Sequence, residues 1–495
     1  MFWKAVVFSV MIFCVSNVEG QIEYANSRPL TLDDCIAEAL AKNLDIRTRR
    51  IQPRMDELSI GSSLGAYDPS FTLSANQSFN ASPGSSDPNS RLFGTGSDTT
   101  TESFGPGING LLPYGTRYRL DGRLRRQSGT VFPSFQYNSD ITASVTQPLL
   151  RNFMIDSPRR TIAVAKRTLK INELVLSHQI MRTVNSVEKA YYELVYAREN
   201  VLVQDSSLQL AEKHLRETRR RVELGALAPL DQTQAESQAA ARRADLLSAQ
   251  VQLDTRMNAL KGLLSDDFAL VADVKFDPTD KLLAVVHQFD TQDSWVRGLE
   301  RRPDLLQSKE SLERQKIVLR YNKNQILPSL DLQLSYGHNG FGTDLPGGLD
   351  GIRTGSGQAY SYGLVLTIPF SNRTAKNNYR SSRLEKQRLL LSHKQLEQQI
   401  IIEIDNALKA ARNAYQRIDA TREARRYAEA ASEAEEKKFA NGKSTGFFVL
   451  QLQRDLTAAR SSELRALADY NNTLADLWLN EGMTLERRGV VVNFE

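Results

Sequence analysis

The sequence predicts a mainly α-helical fold with membrane β-strands, built as a tandem duplication. Two stretches contain no Gly or Pro, 66 residues over 159–224 and 71 residues over 371–441. Four short segments alternate apolar and polar residues, and a set of landmarks recurs in the same order in both halves. Long uninterrupted stretches are helix signals, and period-two alternation is a strand signal.

Composition bounds the reading. The 495 residues carry 63 Lys and Arg against 58 Asp and Glu, with 41% hydrophobic content and a formal charge of +5. That apolar fraction excludes a disordered chain and a bundle of membrane-spanning helices. So small a basic surplus, without Lys/Arg runs interleaved with aromatics, gives no case for nucleic acid. Residues 1–20 read as a secretory signal peptide, with the apolar run Ala5 to Val15 and small residues near Gly20. Cys14 follows Met11-Ile12-Phe13, which argues against lipidation. Cleavage after Gly20 leaves Cys35 alone, so a disulfide scaffold is excluded.

The duplication rests on four ordered landmarks. Leu44-Asp45-Ile46 precedes Pro69 by 23 residues, counted from Ile46, and Pro303-Asp304-Leu305 precedes Pro328 by 23, counted from Leu305. Thr146-Gln147-Pro148-Leu149 matches Thr367-Ile368-Pro369-Phe370. Gly225 and Gly442 follow those prolines by 77 and 73 residues. One interval differs: Pro69 to Pro148 is 79 residues and Pro328 to Pro369 is 41, an insertion in the first half.

Each half then reads in one order. A modest helix opens the first, from Thr31 to about Ser63, with a bend expected at Pro53 and a capping box at Thr31-Leu32-Asp33-Asp34. A hairpin follows, then the long helix, then a shorter one over 230–261 or 447–481. At 1.5 Å per residue a 66-residue helix reaches about 100 Å, roughly three bilayer cores. Its charges exclude it from lipid. Ile180, Val184, Val187, Tyr191 and Leu194 step by 4, 3, 4 and 3, as Ile400, Ile404, Ala407 and Ala411 begin to do in the second half, so these helices wind on one another.

Strands exclude a simple filament. Phe71, Leu73, Ala75 and Phe79 alternate with Thr72, Ser74, Asn76 and Asn80, and Leu330, Leu332, Leu334 and Tyr336 alternate with Asp331, Gln333 and Ser335. The return strands center on Ile141, Ala143, Val145 and on Leu364, Leu366, Ile368. Such alternation is the pattern of a membrane barrel. Two strands per half give four, too few to close a barrel, and an open edge in lipid is costly. Several chains must therefore share one barrel.

A duplicated hairpin and long helix pair, with Gly at each helix turn, resembles the TolC-like outer-membrane efflux family. The resemblance is carried by Leu30-Thr31-Leu32-Asp33-Asp34-Cys35-Ile36-Ala37 with Asn43-Leu44, by Thr146-Gln147-Pro148-Leu149, and by the turns around Gly225 and Gly442. It implies tandem-duplicated strand hairpins forming a shared trimeric β-barrel of twelve strands, continued by a long coiled-coil α-helical barrel in the periplasm. It implies a homotrimer that docks a periplasmic adaptor (membrane fusion) protein and, through it, an inner-membrane transporter. The docking turns would be Leu224, Gly225 and Ala226 with Asn441, Gly442 and Lys443. Some relatives close the entrance with Asp six and nine residues after the second turn Gly. Here those positions hold Phe448 and Gln451, while Asp231 lies six past Gly225. Asp231, Phe447 and Phe448 are thus the candidates for an entrance constriction, against a reading in which the Phe side chains pack between helices.

The insertion alternates Tyr118, Leu120 and Leu124 with Arg117, Arg119, Asp121, Arg123 and Arg125. It is either an external hairpin or added barrel strands. Arg117, Arg119 and Arg123 form a basic face that would favor anions if it lines the exit; the alternative is a solvated face without selectivity. Gly105-Pro106-Gly107-Ile108-Asn109-Gly110 matches a dinucleotide fingerprint only formally and reads as loop. His178, His214, His287, His338 and His393 are scattered without metal-ligand spacing. No catalysis, cofactor or metal is expected.

The expected organization is a signal peptide over 1–20, a first repeat over 21–265, a connecting segment over 266–290, a second repeat over 291–482 and a tail over 483–495. The expected function is an outer-membrane exit duct of a tripartite efflux or type I secretion system. It conducts substrates passively from an inner-membrane pump to the exterior. The alternative is a structural coiled-coil protein of the cell envelope without channel activity.

Overall fold

A computed structural model describes residues 27–84, 96–130 and 132–491. The signal-peptide expectation lies outside them. A short strand β1 (Ser27–Leu30) leads into α1 (Leu32–Lys42), whose capping box at Thr31 and Asp34 is formed in full. The expected single helix is in fact two. Asn43 ends α1 and caps α2 (Leu44–Leu64) by accepting from the N–H groups of Asp45 and Ile46. Pro53 sits inside α2, so the break falls at Asn43.

Four strands follow: β2 (Ser70–Ser82), β3 (Ser97–Leu111), β4 (Arg117–Gly129) and β5 (Phe132–Pro148). The long helix α3 (Ser157–Glu223) and its partner α4 (Pro229–Leu264) complete the first half. A linking stretch holds α5 (Phe268–Val271) and β6 (Lys275–Pro278), and β6 pairs in parallel with β1. The second half runs through α6 (Thr291–Arg301), α7 (Pro303–Asn324), β7 (Ser329–Gly342), α8 (Leu345–Thr354), β8 (Gln358–Thr367), α9 (Arg373–Ala440) and α10 (Gly446–Glu481), and a short α11 (Thr484–Arg487) follows.

The strands form one antiparallel sheet in the order β2-β3-β4-β5-β7-β8. This corrects the expectation of four strands, because the insertion supplies β3 and β4. It also corrects the loop reading of 105–110, which lies within β3. Pro106 has no N–H to give, and it stands where the β3–β4 ladder skips residues 105 and 106. Gly110 leaves room for the Tyr118 ring, whose Oη would lie 2.4 Å from an added Cβ.

Each repeat has its own core. In the first, Ile180, Val184, Val187, Tyr191 and Leu194 of α3 are buried against Cys35, Ile36 and Ala39 of α1, Ile46 of α2 and Leu260 and Leu264 of α4. In the second, Ile400, Ile404, Leu408, Ala411 and Ile418 of α9 are buried against Leu305 of α7 and Ala466, Tyr470, Leu474 and Leu477 of α10. The seam read from helical spacing is the seam that packs. The landmark pair Ile46 and Leu305 fills equivalent places in the two cores, each almost fully buried.

Polar contacts join the repeats. The Lys189 Nζ lies 2.9 Å from the Asp476 carboxylate, and Arg465 reaches Glu193 at 2.9 Å, both between α3 and α10. The exposed Lys189–Asp476 pair contributes little, about 0–1 kcal/mol, whereas Glu193 of the second pair is largely shielded from solvent. Both pairs set the register of the two helices.

Candidate functional sites at the two ends of the molecule

At the sheet end, register gives each face one character. Phe71, Ile108, Leu120, Ala143, Tyr336 and Tyr360 form one cross-strand row. The neighboring row, on the opposite face, is Ser70, Asn109, Arg119, Ser144, Ser335 and Ser361. The apolar face stays exposed: Phe71 is 66% accessible, Leu364 63% and Tyr362 79%. A soluble sheet would bury such a face against a second layer. A membrane strand presents it to lipid. The apolar band on β4 runs from Tyr118 to Leu124, and the ion pair of Arg126 with Glu102 at 2.6 Å bounds it. Seven residues at about 3.3 Å each run roughly 23 Å along the strand, or about 18 Å of bilayer height at a tilt of about 40°, most of an outer-membrane apolar band of roughly 25 Å.

Arg117, Arg119 and Arg123 lie on the opposite, polar face and are exposed, with Arg125 beside them half-buried. Asp121 pairs with Arg119, and Asp140 faces Arg123 across the β4–β5 ladder. The remaining surplus on β4 is positive. Sequence reasoning placed these arginines on one face, and the sheet brings them together there.

At the other end, both long helices stop in the same way. The Gly225 N–H donates to Val222 O at 2.9 Å and the Ala226 N–H to Arg221 O at 2.8 Å. The Gly442 N–H donates to Phe439 O and the Lys443 N–H to Lys438 O, at 3.1 and 2.9 Å. These paired bonds satisfy carbonyls left free at a helix end and require a left-handed residue, which is Gly at φ +73° and +72°. Nothing lies within 4 Å of an added Cβ at either position, so the requirement is in the backbone alone. Leu224 is 76% accessible, an apolar side chain exposed at the tip.

Past the turns, Asp231 is partly committed. Its carboxylate accepts the Ala228 N–H at 3.1 Å and caps α4, behind Pro229 in the first turn. Phe447 and Phe448 open α10, their rings edge-to-face at 5.7 Å, and both are more than half exposed. Within one chain they are therefore not packed away between helices. Phe447 shares a groove with Gln234, Gln238 and Arg454, which brings the starts of α4 and α10 side by side.

One residue of this end stands in the sequence only as one of five scattered histidines. His214 of α3 is buried, with its ring 5.3 Å from that of Phe439 on α9 and its Nε2 3.2 Å from where a Cβ on Gly446 would sit. Arg221 lies over the other ring, 4.7 Å from the Phe439 centroid. Burial holds the imidazole below its ordinary pKa; Glu217 opposes this, Arg221 adds to it, and Glu436 opposes it. Only the tertiary arrangement of three helices reveals this cluster.

A family model described as outer membrane efflux protein matches residues 35–265 and 296–479. The chain belongs to the outer membrane efflux protein family. The efflux protein is thus an outer-membrane protein whose long helices extend on the periplasmic side. Its fold is similar to that of a membrane protein from Pseudomonas aeruginosa, at TM-score 0.68 and 16% identity, covering 91% of this chain and 92% of that one. The outer-membrane channel OprN gives 0.66 at 16%, covering 91% and 89%, and the CmeC outer-membrane channel of Campylobacter jejuni gives 0.64 at 18%, covering 92% and 86%. No curated protein sequence matches the chain. The family is one of efflux proteins, not of enzymes. Among the described residues no helix is long and apolar enough to cross a membrane and no acidic, His or Cys cluster suits a metal. Neither statement bears on the strands, which carry the membrane reading.

Proposed function

We propose that three copies of this chain form the exit duct of a tripartite efflux or type I secretion system. Substrates pass through it passively, driven by an inner-membrane transporter to which a periplasmic adaptor connects. The observation that carries this reading is the union in one chain of a lipid-suited sheet and two helices of about 100 Å, with paired turns at the far end. The strands supply the membrane segment, and the helices reach across the periplasm. Leu224, Gly225 and Ala226, with Asn441, Gly442 and Lys443, are the adaptor contact. An exposed Leu and a compact Gly turn suit a neighbor that covers them.

Phe447 and Phe448, together with Asp231, narrow the entrance, and an apolar ring can gate by excluding water. The basic face of Arg117, Arg119 and Arg123 lines the exit and favors anions.

Native mass spectrometry in detergent of protein extracted from outer membranes tests the assembly. A trimer mass is the expected result. A monomer or filament released without detergent would instead support the structural coiled-coil reading. For the entrance, Phe448→Ala is expected to raise passive leak of small solutes in liposomes at unchanged trimer yield; unchanged leak would remove the gate.

A further inference from the structure

Among the described residues the sheet has six strands, and both of its edges are unpaired. β2 and β8 each pair on one side only, and every residue of both is exposed. The insertion accounts for the difference from the second repeat. There Ser329 pairs directly with Thr367, whereas the equivalent Ser70 and Thr146 are separated by two whole strands, β3 and β4.

The position of the β3–β4 turn decides what those strands are. An external loop would place that turn beyond the sheet, away from the helices. It lies instead at the helix end. The Gln147 Nε2 donates to Tyr114 O at 3.4 Å, the Arg159 guanidinium stands over the Tyr114 ring at 5.4 Å, and a Cβ on Gly115 would lie 3.1 Å from Asn152 O. The hairpin thus runs the full height of the sheet and returns at the base of α3. Its apolar row continues that of β2 on one side and β5 on the other.

We infer that the barrel shared by three copies has eighteen strands, not the twelve that the resemblance implies. It closes by pairing β8 of one copy with β2 of the next. This rests on the trimeric reading above. An even number of antiparallel strands leaves β2 and β8 running in opposite directions, so edge-to-edge pairing continues the antiparallel order. Both edges carry apolar residues on the same face, Phe71 and Leu73 on β2, Tyr360 and Tyr362 on β8. A head-to-tail contact of two different edges closes as a ring, and ring closure is the one arrangement that leaves no edge in lipid. Barrel diameter grows roughly linearly with strand number, so the exit is about 1.5 times as wide as a twelve-stranded one. The added wall is also the basic one: Arg117, Arg119, Arg123 and Arg125 of each copy face the lumen, which suits a bulky anionic cargo.

The test is a cryo-electron microscopy reconstruction of the wild-type protein in lipid nanodiscs. Eighteen strands with β3 and β4 in the wall is the expected result; twelve strands with the hairpin outside would overturn the inference. A particle that is not threefold would overturn the trimeric reading itself. Cysteine labeling in outer-membrane vesicles, in a Cys35→Ala background, gives an independent readout. A charged maleimide is expected to modify Arg119→Cys on the order of tenfold faster than Leu120→Cys, because the two face water and lipid respectively. Equal rates would overturn the wall assignment.

Discussion

His214 is the residue at which chemistry and architecture meet most closely near the helix tips. Its imidazole is held neutral by burial among α3, α9 and α10, with Glu217 and Glu436 drawing it toward protonation and Arg221 resisting. A histidine whose folded pKa is depressed stabilises the fold above its unfolded value of about 6.5, and that contribution is lost as pH falls through the folded value. Lowering pH from about 7.5 to about 5.5 is therefore expected to speed amide exchange near residues 214 and 439–446, after correction for intrinsic rates. His214→Gln should flatten that dependence while leaving the turn glycines in place. Equal pH dependence in the variant would show that another group is responsible. Histidine 214 was visible in the sequence only as one of several on a long helix; its three-helix surroundings are a product of packing.

At the scale of elements, the helices were legible because their signals are local. Freedom from Gly and Pro, a 3.5-residue apolar step and a capping box at Thr31 each act within a turn or two. The same holds for β2, β5, β7 and β8, where alternation covers most of each strand and is broken only locally, as at Gln77 of β2 and Val365 of β8. β3 was not legible. Its Gly105-Pro106-Gly107 run is loop chemistry taken alone, and it becomes a strand only because Phe71 and Leu73 on one side and Leu120 and Leu124 on the other supply ladders. The break at Asn43 was also missed, since Pro53 is the stronger local signal but a long-range bond from Asn43 Nδ2 to Leu263 O, at 3.0 Å, fixes the corner. Of the candidate site residues, the turn glycines were fixed by local backbone need, whereas the role of Asp231 as a cap and the exposure of Phe447 and Phe448 are set by how α4 and α10 lie. Helix packing itself makes a sharp prediction at Gly298 of α6. A Cβ there would lie 2.3 Å from Ile404 Cδ1, and Ile400 is 3.6 Å away. Gly298→Leu is expected to cost about 1–3 kcal/mol by overpacking, and Ile404→Ala about 2–5 kcal/mol by opening a cavity. Chemical denaturation followed by circular dichroism measures both; a neutral result for either would mean the core there yields more than its burial implies.

For the whole molecule, the proposed basic exit face makes a prediction about ion selectivity. Neutralizing Arg117, Arg119 and Arg123 together to Gln is expected to shift the zero-current potential of single channels in a salt gradient toward cations, with channel number unchanged. An unaltered potential would place the basic face outside the conduction path. The tandem design also has a mechanical side. α3 runs unbroken past the level where α1 gives way to α2 and where α4 ends, and α9 runs unbroken past the junction of α6 with α7 and the end of α10. Side-chain ties close each junction, Arg47 to Asp266 at 2.9 Å in one repeat and Arg297 to Glu481 at 3.0 Å in the other. The joints of each repeat fall at one level, and because α3 and α9 continue through it, no cross-section interrupts every member. The rod carries bending and torsional load through continuous helices at every height, while its shorter members meet end to end at joints that can take up small misalignments.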